Sequence, residues 1–83
     1  MEKTIYTTEY AELLRLLRET RERAKVTQTE LADRLGRSQS FVTKFERGDR
    51  RLDAIQLRTI CQALGADLVS FVTELERRLS KHR

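Results

Sequence analysis

The sequence predicts an all-α fold of five helices in one small domain, on three observations. The chain has 83 residues, no proline, no tryptophan and three glycines, and is rich in Leu, Glu, Arg and Ala, which favour helix. Its apolar residues recur at three- and four-residue steps, the period of a helix face. Two capping boxes, Thr27 with Glu30 and Asp53 with Gln56, fix helix starts.

The first helix is predicted from about Thr8 to Ala24, capped by Thr7 or Thr8, with Glu9 and Glu12 near its positive end. Leu14, Leu17, Arg21 and Ala24 form its inner stripe, widened by Tyr10 and Leu13. The second helix follows Thr27, with Val26 and Leu31 as its hydrophobic staple; it buries Leu31, Ala32 and Leu35 and ends at Gly36, which takes the left-handed conformation. Ser38 starts the third, whose inward pair is Val42 and Phe45. The fourth begins at Asp53, is stapled by Leu52 and Leu57, buries Leu57, Ile60, Cys61 and Leu64, and stops at Gly65. Asp67 caps the fifth, which carries Leu68, Phe71, Val72, Leu75 and Leu79 at helical spacing and ends near Ser80. The domain is therefore expected over 8–80, after an N-terminal extension 1–7 and before a loose tail 81–83.

Helices two and three, joined by a glycine turn, form a helix-turn-helix over 28–47. The third leaves Gln39, Ser40, Thr43 and Lys44 pointing outward. Amide, hydroxyl and ammonium groups on one short helix suit base edges and phosphates in a DNA major groove. Gln39, at the helix start, can pair bidentately with adenine. Ser40 discriminates bases weakly, and Lys44 reaches either guanine O6 and N7 or a phosphate. Arg37, Ser38, Thr43, Arg50 and Arg51 are expected on the DNA backbone. Five basic residues between Arg37 and Arg51 against Glu46 and Asp49 concentrate positive charge there, within a net charge of +4. Phe41 is left between touching thymine methyls and packing over the domain edge.

The run LADRLGRSQSFVTKFERG, Leu31 to Gly48, resembles the Cro/repressor-type helix-turn-helix family, also called XRE. The likeness continues through Asp49 to Asp53 and Ala63 to Gly65, and covers roughly residues 13 to 71. It implies a compact five-helix lambda-repressor-like domain. It also implies that Gln28, at the start of helix two, contacts the phosphate backbone. Arg21 and Glu46 match a buried ion pair that ties helix one to helix three. Where the family usually has glycine, this chain has Lys25, which the resemblance places at positive φ.

A single cysteine excludes an internal disulfide, and with one His argues against a zinc site. Cys61 is expected to be a buried apolar thiol. No run approaches the ~20 apolar residues of a membrane span, and no signal-peptide core is present, so a cytoplasmic protein is expected, and the resemblance implies a nucleoid-associated one of bacterial or phage type. No nucleophile–base pair or phosphate-cradling loop points to an enzyme, a cofactor or a small-molecule substrate. Phe71, Leu75 and Leu79 are candidates for a homodimer contact, with Ile5 and Tyr6 docking at the same seam; the other use of the leucines is to cap the core. The expected function is a sequence-specific double-stranded DNA-binding transcriptional regulator, a repressor bound as a homodimer to a palindromic operator. The alternative is an antitoxin or coactivator-type adaptor whose main role is binding a protein partner.

Overall fold

Each helix begins where a side-chain oxygen takes up a free backbone N–H. The computed structural model describes residues 7–81, with α1 at Thr8–Arg23, α2 at Gln28–Leu35, α3 at Gln39–Arg47, α4 at Ala54–Ala63 and α5 at Leu68–Lys81. Thr7 caps α1 by accepting from the Tyr10 N–H at 3.0 Å. Both capping boxes close reciprocally, Thr27 with Glu30 at 3.0 and 2.9 Å and Asp53 with Gln56 at 2.7 and 3.0 Å. At the start of α5, Asp67 accepts from the Ser70 N–H, a bond that holds its carboxyl below the usual range. Lys81, expected in a loose tail, extends α5 instead. The expectations for Met1 to Tyr6 and for residues 82–83 lie outside the described residues.

The helices close around Leu17, Leu31, Val42, Phe45, Ile60 and Cys61, all fully buried. Burial pushes the Cys61 thiol up from its ordinary value, so it serves as a small hydrophobe. Leu14 and Leu17 face inward as the spacing predicts, but so does Leu16, while Ala24 is exposed. The cause is that α1 packs against both α3 and α5, which widens its buried face, and ends at Arg23 before Ala24 can turn inward.

Glu12 has a role beyond complementing the helix dipole. It is 7% exposed and meets Arg78 of α5 at 3.2 Å, together with Arg15. Arg78 also donates to Glu19 and Glu74, each at 2.8 Å. Arg77 and Arg78 hold the Glu74 carboxyl down at about 2, and Arg78 lowers that of Glu19. Glu19 and Glu74 therefore stay charged across the neutral range, and the fork of Arg78, bonded to Glu12 and Glu19, pins α5 to α1.

That anchor fixes the rotation of α5. Leu68, Phe71, Leu75 and Arg78 face the rest of the domain, three or four residues apart, which is one helical stripe. Phe71 is 4% exposed and part of the core, so it is not available as a dimer contact. Leu75 packs against the core rather than running beyond it, and Leu79 is half-buried. Val72, one of the apolar residues at helical spacing on α5, is 43% exposed because the Phe71 stripe turns it outward, and Val69 beside it is 74% exposed.

Lys25 holds φ at 61°, the one described non-glycine residue in the left-handed region. Its Cβ opposes this conformation, so Lys25→Gly is expected to stabilise the domain by up to ~1 kcal/mol. A midpoint of thermal unfolding no higher than that of the parent chain contradicts this.

Candidate nucleic-acid interface

The turn between α2 and α3 depends on Gly36, whose φ of 68° lets the Gly36 and Arg37 N–H groups reach back to Asp33 and Ala32. An added Cβ would meet nothing within 4 Å, so the need for glycine is conformational rather than spatial. Ser38 then caps α3 by accepting from the Phe41 N–H at 3.3 Å. Val42 and Phe45 are fully buried, and this sets the outward face of α3: Gln39, Ser40, Lys44 and Arg47 are exposed.

Beneath that face runs a chain of polar contacts across three helices. Arg21 donates to Glu46 through Nε at 2.6 Å and Nη2 at 3.2 Å, and to the Val26 carbonyl at 2.9 Å. Gln28 donates from Nε2 to Glu46 Oε1, and Thr43 donates to Gln28 Oε1, both at 2.9 Å. Gln28 and Thr43 are both half-buried. The phosphate role expected of them is therefore corrected in part: the single hydroxyl proton of Thr43 is held by Gln28, and one Gln28 amide proton by Glu46. Their spacing of fifteen residues on different helices carried no local signal.

The basic residues are organised by aromatic rings. The Arg37 guanidinium carbon lies 3.9 Å from the Phe41 ring centroid, and that of Arg50 lies 5.1 Å from the same ring. Arg51 sits 4.7 Å from the ring of Tyr10, whose hydroxyl accepts from the Leu52 N–H at 3.3 Å. Stacking leaves the edges of each guanidinium open for hydrogen bonds while limiting its motion. Phe41 is 8% exposed and meets Phe45 edge-to-face at 5.4 Å, so of its two roles the structure shows packing. Glu46 is turned inward and Asp49 is paired with Arg47 at 2.7 Å, which leaves Arg37, Lys44, Arg50 and Arg51 as the exposed charges around α3 with no ion-pair partner among the described residues.

A family profile described as a helix-turn-helix domain matches residues 12–71. The chain belongs to that family. An XRE-family like protein from Pseudomonas syringae pv. tomato is 47% identical, with 84% of this chain and 85% of that chain covered and a TM-score of 0.81. The clp gene regulator ClgR from Corynebacterium glutamicum is 26% identical over 92% of this chain and 81% of that chain, with a TM-score of 0.77. A mutant of a restriction-modification controller protein, 23% identical over 93% of this chain and 98% of that chain, has the same fold at a TM-score of 0.81. No curated protein matches the chain. The helix-turn-helix is thus a DNA-binding module of XRE type, with α3 in the recognition position. Among the described residues no cluster of metal-ligating side chains occurs, and no helix is long and apolar enough to cross a membrane.

Proposed function

We propose that this chain is a sequence-specific transcriptional regulator, a repressor that binds a palindromic operator as a homodimer in the bacterial or phage cytoplasm. The observation that carries the reading is the two-sided α3. Its inner side is fixed by Val42, Phe45 and the Glu46 network, while Gln39, Ser40 and Lys44 are exposed at the surface. A rigid helix presenting an amide, a hydroxyl and an ammonium matches the donor and acceptor pattern of the major groove. Arg37, Arg50 and Arg51, held against aromatic rings, serve as phosphate contacts on either side of it, with the Ser38 hydroxyl and the second Gln28 amide proton beside them.

One such module makes too few contacts for tight specific binding, and this supports a two-fold pair with recognition helices about 34 Å apart. The exposed Val69 and Val72 on α5 supply apolar surface for that pairing. Selecting duplexes from a random pool tests the reading, and a palindromic consensus is the expected result. Gln39→Ala is expected to weaken binding to that consensus by about 1–3 kcal/mol and to leave non-specific binding nearly unchanged. Equal losses on both DNAs would move Gln39 to the backbone contacts. A pool with no enrichment, together with co-purification of another protein, would favour the adaptor role instead.

A further inference from the structure

Gln39 is not alone at the surface. The Thr29 hydroxyl on α2 donates to Gln39 Oε1 at 3.0 Å, across the glycine turn and ten residues back in sequence. Both side chains are exposed, and nothing else in the described structure bonds the Gln39 amide. The other glutamine of the motif, Gln28, is half-buried and held at both ends of its amide, by Glu46 and Thr43. The contact to Thr29 therefore acts on the one amide that stands ready to meet a base.

An amide reads adenine only in one sense. Nε2 must donate to N7 while Oε1 accepts from the N6 amino group; turned over, donor faces donor and the pair is lost. A glutamine free in water samples both senses. Thr29 has one hydroxyl proton, and giving it to Oε1 fixes the sense of the amide while leaving the second lone pair of that oxygen for a base. We propose that Thr29 is a positioning residue that sets the base preference of Gln39, holding its amide in the order that pairs with adenine. This rests on the DNA-reading role of α3 and goes beyond it by assigning the choice of base to a residue on the other helix.

The test is binding of the full chain to its selected duplex and to three variants of it, changed at the base pair whose preference Gln39→Ala abolishes. Wild type is expected to prefer adenine there. Thr29→Val, which keeps the shape and removes the hydroxyl, should reduce that preference about fivefold, the scale of one hydrogen bond. Thr29→Ser should retain most of it, and Thr29→Val in a Gln39→Ala background should change nothing further. Thermal unfolding and binding to non-specific duplex should stay the same, which separates positioning from folding. An unaltered preference in Thr29→Val, a uniform loss on all four duplexes, or a wild-type preference for another base overturns the inference while leaving the DNA-reading role standing. Should Gln39→Ala alter no base preference at all, that role fails for Gln39 and the inference falls with it.

Discussion

Glu46→Ala is expected to cost the domain about 3–5 kcal/mol, the scale measured when one partner of a buried ion pair is removed. Small domains hold only about 5–15 kcal/mol in total, so the variant should unfold at a clearly lower denaturant concentration than the parent chain. The side chains of Arg21 and Glu46 are 11% and 6% exposed, and the fork of Arg21 meets both carboxylate oxygens. Without Glu46, the guanidinium keeps the Val26 carbonyl as its one partner, and Gln28 loses the acceptor for its amide. Thr43 is then bonded to a glutamine that nothing holds. Replacing both charged residues by apolar ones of similar size (Arg21→Met with Glu46→Leu) should recover most of the loss, because no charge is left stranded. Denaturant unfolding of Arg21→Met, of Glu46→Leu and of the double variant gives the coupling directly. A loss below about 1 kcal/mol for Glu46→Ala would mean that the pair behaves as a surface ion pair, and would sink the assignment.

The parts of this fold that were legible in the sequence are the local ones. Thr27 with Glu30 and Asp53 with Gln56 sit three residues apart, so the chain itself brings each pair together whatever the rest does. Gly36 ends α2 for an equally local reason, whereas the positive φ of Lys25 was expected only through the resemblance to a family with glycine at that position. The contacts that could not be read join distant residues. Arg78 meets Glu12 across sixty-six positions, and Thr29 meets Gln39 across ten with a glycine turn between them. No periodicity announces such partners, since each alone resembles an ordinary solvated side chain. The rotation of α5 was ambiguous for another reason. Its apolar residues cover more than one face, so spacing alone admits both the stripe that includes Val72 and the one that turns Val72 to solvent. Packing on α1 and α4, with Arg78 as anchor, decides between them.

That rotation changes which substitutions should separate a dimer, and the expected outcome is a contrast between neighbouring turns of one helix. Val69→Glu with Val72→Glu should give a folded monomer. Both valines are exposed in the single chain, so charging them costs the domain little, while a pairing surface would lose apolar burial worth about 1.5–3 kcal/mol per side chain. Leu79, seven residues beyond Val72 and half-buried, lies on the same side and extends the surface along α5. Leu75→Glu should behave differently. Leu75 packs against the core, so the charge would lower the unfolding temperature before it affected association. On a palindromic operator, loss of pairing turns one bivalent event into two separate ones, and affinity should fall by about 10²- to 10⁴-fold for the valine variant. Non-specific binding per chain should hold, because α3 and its arginines are untouched. Sedimentation at micromolar concentration, with and without operator, decides the case. A wild-type chain that runs as a monomer in both conditions removes the dimer from the mechanism, and a valine variant that stays dimeric places the contact elsewhere than α5.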